Sequence, residues 1–458
     1  MQEAVEEKCD VLVIGGGPAG STAATLLARR GWHVLQAEMD RHPRFHIGES
    51  LLPANVPLLE ELGVLDKVRE LGVLKLGADF PGAGSQPNVF RFRRALGDTP
   101  PYAFQVKRED FDAMLFRHAR ESGADSREGL RIDNVELLPD GVRAFATGEH
   151  GTLEIRARYL VDASGRETFM GNALKIKRKN PKHQSAAIFA HFHGVERRQG
   201  EDAGNISIYR FEFGWAWMIP LPDDVMSVGC VCWPEYLKQR RGDAGQFLLE
   251  TLQRIPEAAQ RMRAATRCSP THVTGNYSYQ CTATCGRHWI MAGDAYAFLD
   301  PIFSSGVHLA MDSGARAAKL VDTVLREPGR ESALQRAYAR RVNRGLRTFA
   351  WFVYRFNSNT LRQLFAHDSP PWDLDRGVIS LLAGDVYDGG RVRRKLHLFK
   401  MVFAVAGLMN LPRHVRDLRH RRRQARVEFS GGKPPRTATD GGRAGFPIRM
   451  RTDLEGRL

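Results

Sequence analysis

A short apolar run rich in β-branched residues, Cys9-Asp10-Val11-Leu12-Val13-Ile14, ends directly on Gly15-Gly16-Gly17-Pro18-Ala19-Gly20. This junction constrains the fold more than any other stretch. The run has the pattern of a strand buried on both faces, and the glycines fit G-x-G-x-x-G between a strand and a helix. Gly15 permits the tight turn, Gly17 lets backbone N–H groups approach a pyrophosphate, and Gly20 allows close helix–strand packing. A helix is expected from about Pro18 to Arg30, ending at Gly31. A strand from His33 to Glu38 then completes a βαβ-type opening. Glu38 lies eighteen residues after Gly20, where a carboxylate can accept hydrogen bonds from an adenosine ribose and would repel a 2′-phosphate. Gly15, Gly17, Pro18, Ala19, Gly20 and Glu38 therefore form a candidate dinucleotide site that fits FAD or NAD.

A chain of 458 residues can bury a large core and exceeds one compact domain, so two or three domains are expected. Its 43% hydrophobic and 26% charged residues are those of a globular enzyme. No signal peptide is visible and no apolar run approaches membrane-spanning length, which gives a cytoplasmic expectation. The six cysteines (9, 230, 232, 268, 281 and 285) match no familiar zinc spacing, so reduced thiols and no metal are expected. The net charge of +15 is concentrated: residues 391–426 hold twelve Lys and Arg against the single acid Asp417. The body is therefore nearly neutral, and without a recognition fold nucleic-acid binding is not expected.

Asp110–Ser122 reads as a helix, and Ile132–Leu160 as hairpin strands with a turn near Gly148–Gly151. Alternation dominates from Ser185 to Trp233 and predicts a largely antiparallel sheet. Within it, Gly214-Trp215-Ala216-Trp217-Met218-Ile219-Pro220 puts both indoles on one face. Helical periodicity covers Gly245–Ala265 and most of 307–425, with breaks near Ser369-Pro370-Pro371 and Pro412. Beyond about Ser430 the chain is Gly-, Pro- and Arg-rich and is expected to be disordered.

Three stretches favour FAD. Gln105-Val106-Lys107-Arg108 puts Arg108 at a helix start within reach of a pyrophosphate or ribitol. Asp162-Ala163-Ser164-Gly165 supplies a second close-approach turn. Ala292-Gly293-Asp294-Ala295 follows a strand and sets Asp294 where a ribitol hydroxyl would lie, and the helix after Gly306 offers N-terminal N–H groups. Over residues 8–325 the chain resembles the flavoprotein monooxygenase superfamily. Three features are similar to the FAD-dependent halogenases: Gly-Trp-x-Trp-x-Ile-Pro at 214–220, His46-Ile47-Gly48-Glu49-Ser50, and Lys75 followed by Gly77-Ala78.

The resemblance implies an α/β fold: a glutathione-reductase-like FAD-binding Rossmann domain (1–75, 105–175 and 285–330) with an inserted antiparallel β-sheet substrate domain (76–104 and 176–284). A helical C-terminal region (331–429) and the tail 430–458 complete it. It also implies that FADH2 and O2 oxidise a halide, chloride or bromide, to hypohalous acid, which passes along a closed passage to Lys75. Ser305 and Gly306, in Ser304-Ser305-Gly306, match the family's backbone halide site. Trp215 and Trp217 would keep substrate from the flavin, and Ser50 and Gly306 are counted with the cofactor residues.

Phe303 stands where the tryptophan-acting branch carries a glutamate. The chain is thus closer to the branch acting on phenols, pyrroles and aryl or acyl groups held on acyl or peptidyl carrier proteins. A separate NAD(P)H-dependent flavin reductase is implied as partner.

Leu396–Met409 is apolar and flanked by arginines. It reads as a helix packed on the body, a docking surface for an acidic carrier, or a peripheral contact with anionic lipid. Two rival functions stand beside halogenation. One is a flavin-dependent reductase or hydroxylase resembling geranylgeranyl reductases, and the other is a catalytically silent flavoprotein binding a partner through its basic C-terminal segment.

Overall fold

The computed structural model describes residues 5–81, 87–149, 151–180, 184–275, 278–366, 373–387 and 390–409. Two large sheets organise it. In the first, the strand Val5–Ile14 lies at the centre, parallel to Val34–Glu38 on one side and to Gly151–Asp162 on the other. Trp289–Met291 and Asp125–Glu128 extend the parallel ladder outward. Val11, Leu12 and Val13 are wholly buried, as the uninterrupted apolar run requires of a strand covered on both faces. The helix Pro18–Ala28 covers one face and packs against the long helix Gly306–Arg326. Contact there is close enough that a Cβ on Gly314 would collide with Ala19 O.

Two strands, Arg131–Leu138 and Gly141–Gly148, form an antiparallel meander with Gly151–Asp162. The hairpin expected near Gly148–Gly151 is thus joined by a second tight turn at Pro139–Asp140. The expected helix at 245–265 is two helices, Ala244–Gln253 and Pro256–Arg261. Pro256 sits at the first position of the second, where its missing N–H costs nothing.

The second sheet is ordered Thr266–Arg267, Ala186–His193, Met226–Cys232, Gly214–Pro220, Ile206–Phe211, Gly77–Pro81, Pro87–Arg91. It is antiparallel except where Ile206–Phe211 runs parallel to Gly77–Pro81. One face packs on the helices Ala244–Gln253 and Pro256–Arg261. The other faces an aromatic cluster shared with the C-terminal helices Glu331–Val353, Asn359–Ala366 and Leu374–Leu382.

A two-stranded ladder, Gly72–Lys75 with Ala103–Val106, links the two layers. The helix Gly390–Met409 is held by Val392, Leu396 and Phe399 and leaves Met401, Val405, Leu408 and Met409 exposed. The rest of the basic segment and the 430–458 tail, with their expected features, lie outside the described residues. Among the described residues no helix is long and apolar enough to cross a membrane, and no cluster of potential metal ligands occurs. The six cysteines are free thiols.

Candidate active site

The glycine turn fixes one end of a cavity of about 1140 Å³. Gly15 holds φ +107°, and a Cβ there would run into Ala163 O; one on Gly20 would run into Gly15 O. These two glycines are set by backbone contact inside the protein. Gly17 differs, since its Cβ direction meets only Arg44 Nη2 at 3.8 Å, so its hydrogen faces cavity space. No side chain caps the helix that starts at Pro18, which leaves first-turn N–H groups for an anion. Glu38 is buried on the cavity wall. It accepts from Gly16 N at 2.6 Å, Asp40 N at 3.0 Å and Arg44 Nη2 at 3.1 Å.

Arg44 belongs to this end of the site but was not picked out by sequence reasoning. Its Nε is buried without a partner, an unspent donor beside the helix N-terminus. The only cue was a basic residue shortly before His46-Ile47-Gly48-Glu49. Arg108 opens the helix Arg108–Glu121. It grips Asp112 through Nε and Nη2, both at 2.9 Å, and donates from Nη1 to Ile47 O at 2.7 Å. It braces the loop at 46–50 as well as lining the cavity.

Asp294 faces the cavity from the opposite wall. Burial, opposed mainly by Arg166, pushes its carboxyl up to about 6. Beyond it, Ser304 is left-handed at φ +54° and hands the chain to the uncapped helix start at Ser305 and Gly306. A Cβ on Gly306 would meet nothing within 4 Å. An unspent guanidinium donor, an uncapped helix start and a carboxylate facing one cavity suit FAD, and the residues of this cavity fit it.

Of the residues singled out from sequence, Gly15, Gly17, Pro18, Ala19, Glu38, Ser50, Arg108, Trp215, Trp217, Asp294, Ser305 and Gly306 line this one cavity. Gly20 lies beneath its floor. Lys75 does not line it and sits behind Ser50. Its side chain is 1% exposed, with Nζ 2.9 Å from both Ser50 Oγ and Leu51 O and 5.2 Å from the Phe92 ring centre. With no carboxylate to offset it, burial lowers the amine to about 7. A neutral amine has two N–H donors and a lone pair. Ser50 Oγ and Leu51 O are the polar partners of this amine.

The two tryptophans face the cavity. Trp215 and Trp217 sit 5.5 Å apart at 45° on the fully buried strand Gly214–Pro220, and Trp217 Nε1 donates to Ser227 Oγ at 3.2 Å. Trp217 pairs in register with Gly229, and a Cβ there would collide with the indole. On the far side Phe303 meets Phe352 and Phe356 edge to face.

A further pair joins distant segments: Glu49, 3% exposed, lies 2.7 Å from His191 Nε2. Burial works against the charged imidazole, but the carboxylate outweighs it and the His191 pKa is raised. At a sequence separation of 142, no motif spacing joins the two.

An FAD-binding-domain family model matches residues 8–351. The chain is 31% identical over 433 residues to the 1H-pyrrole-2-carbonyl-[peptidyl-carrier protein] chlorinase of Pseudomonas fluorescens, covering 89% of this chain and 95% of that one. Among solved structures, a flavoprotein/dehydrogenase from Cytophaga hutchinsonii superposes with TM-score 0.82 at 29% identity, covering 88% of this chain and 100% of that one. The myxobacterial chondrochloren halogenase CndH, described as a variant of FAD-dependent halogenases, gives 0.72 at 30% identity over 86% of this chain and 97% of that one. With the halogenase motifs gathered around one FAD-fitting cavity, the chain belongs to the flavin-dependent halogenases and is an FAD-dependent halogenase.

Proposed function

We propose that this halogenase chlorinates or brominates an electron-rich ring, of the pyrrole or phenol kind, presented as an acyl group on a carrier protein, and that Lys75 transfers the halogen. One observation carries the reading: a desolvated amine held by Ser50 and Leu51 lies outside the cavity that fits FAD. Likeness to a chlorinase of carrier-bound pyrrole supports the substrate class. So does Phe303, an apolar wall where an acid is not needed for a ring that activates itself.

First-turn N–H groups after Gly17, with Arg44, hold the pyrophosphate. Glu38 takes the adenosine ribose and Asp294 a ribitol hydroxyl. Arg108 acts as the brace of the 46–50 loop, and Ser50 bridges cofactor cavity and amine. Bound FAD, reduced by a separate NAD(P)H-dependent reductase, supplies with O2 the oxidation of halide to hypohalous acid. Backbone N–H groups at Ser305 and Gly306 hold the halide beforehand. Trp215 and Trp217 fill the wall between cofactor and ring, so the ring is kept from direct oxygenation while a small neutral acid can pass.

At Lys75 the neutral amine either takes the halogen from the acid, releasing water, or holds the acid by hydrogen bond beside the ring. Confinement matters because free hypohalous acid would attack the protein's own side chains. The discontinuous FAD unit (1–75, 105–175, 285–330), the sheet unit (76–104, 176–284) and the helical region from 331 are the division of labour in this reading. The setting is cytoplasmic.

The test supplies FAD, a flavin reductase, NADH, and chloride or bromide, and follows pyrrole-2-carbonyl-carrier protein by mass spectrometry. Halide-dependent gain of halogen on the carrier-bound ring is expected. Turnover without halide, or an oxygenated product lacking halogen, would contradict the reading.

A further inference from the structure

Arg210 is the strand residue that neither the motifs nor the cofactor cavity explain. On Ile206–Phe211 it shares a face with Ile206 and Ile208 and stands opposite Trp215. Its guanidinium carbon lies 3.9 Å from the Phe356 ring centre and 6.0 Å from that of Phe365. Nε and Nη2 are both buried with no hydrogen-bond partner, and among the described residues no carboxylate pairs with it. The charge that acts on it is Arg362, of the same sign. A buried guanidinium left unpaired is costly, and its planar fork matches the two oxygens of a carboxylate or phosphate.

The position bears on which oxyanion. Gln105 Nε2 donates to Gly204 O at 3.0 Å, and a Cβ on Gly204 would collide with Leu74 O, so Gly204 lies beside Lys75. Arg210 is six residues further along, so its backbone lies up to roughly 20 Å from Gly204 at about 3.3 Å per residue. An anion at Arg210 therefore stands off from a ring at Lys75 and belongs at the other end of a linker.

We propose that Arg210 binds an oxyanion of the substrate remote from the ring that is halogenated, most simply the phosphodiester of a carrier protein's pantetheine arm. This rests on the carrier-bound reading above. A substrate's own carboxylate has the same chemistry, and the test separates the two sources.

Two comparisons use the FAD-loaded enzyme. In the first, binding of 4′-phosphopantetheine and of pantetheine is measured by calorimetry on wild type, Arg210→Gln and Arg210→Lys. Wild type should hold the phosphorylated arm about 10-fold or more tighter. Arg210→Gln should erase the difference and Arg210→Lys should keep part of it. In the second, an aryl group is offered as its phosphopantetheinyl thioester, its pantetheinyl thioester, the free acid and the primary amide. The expected change in Arg210→Gln is a raised KM with kcat retained, confined to the phosphorylated substrate.

The same change confined to the free acid assigns the oxyanion to the substrate's own carboxylate. Equal treatment of phosphorylated and unphosphorylated arms, and of acid and amide, by wild type overturns the proposal. That result needs no variant to fold. Phosphate-dependent binding without any halogenation would sink the function proposed above and leave this inference standing.

Discussion

The nucleotide end of the cavity and the lysine site behind Ser50 are built by opposite means. At the first, six consecutive residues, Gly15–Gly20, do most of the work with backbone atoms: a turn, a close approach and an uncapped helix start. At the second, Ser50 and Leu51, Lys75, and Phe92 come from three separate segments, and Gly204 approaches from the turn before Ile206–Phe211. An anion is held well by oriented N–H groups whether or not water is near. An amine lowered to about 7 must be kept dry, and dryness takes packing from many directions. Recognition is local here, and reactivity is a property of the tertiary fold.

Substitutions at the two ends should break along that line. The largest effect is expected for Gly20→Ala, whose Cβ meets the rigid Gly15 carbonyl. It should cost more than about 3 kcal/mol and abolish FAD retention, read by thermal melting and flavin absorbance.

Lys75→Met should go the other way. The folded amine titrates near 7 and the unfolded one near 10.5, so between those values the unfolded chain binds the extra proton and wild-type stability rises with pH. Below about 7 the full penalty applies. The variant should therefore gain on the order of a few kcal/mol at pH 7 and little above pH 10.5, at about 1.4 kcal/mol per pKa unit. Equal melting temperatures at pH 7 would contradict the desolvated amine. In wild type, halogenation should climb with pH through about 7 and level off as the amine loses its proton.

Gly229→Ala should cost about 1–3 kcal/mol by tilting Trp217, and should lower the yield of halogenated product per flavin oxidised. Smallest of all, Gly17→Ala should leave stability within about 0.5 kcal/mol, since φ is −79° and the space is open. Its effect should fall on FAD affinity alone, several-fold weaker by fluorescence titration. A large stability loss there would erase the distinction between Gly17 and Gly20.

The same division governs what could be read in the sequence. The glycine turn, Glu38, the tryptophan strand and the start of the helix at Gly306 are legible because each is a short run whose neighbours in sequence are its neighbours in space. Lys75 stood out through its place near Gly77-Ala78, but its hold on Ser50 and Leu51 is a tertiary contact. Arg44 lies in a loop with no periodicity to mark it. Arg210 alternates correctly for its strand, and only the packing of Phe356 and Phe365, about 150 residues later, shows that its guanidinium lies against rings with no carboxylate partner among the described residues. The Glu49–His191 pair was hidden for the same reason.

The most direct test of the central claim measures flavin oxidation and ring halogenation together in wild type and Lys75→Met, with bromide and carrier-bound substrate. In the proposed reading cofactor and amine work in separate spaces, so the variant should oxidise reduced flavin at the wild-type rate and retain FAD while halogenated product falls by about 10³-fold or more. Product formed at an undiminished rate without the amine would contradict the account.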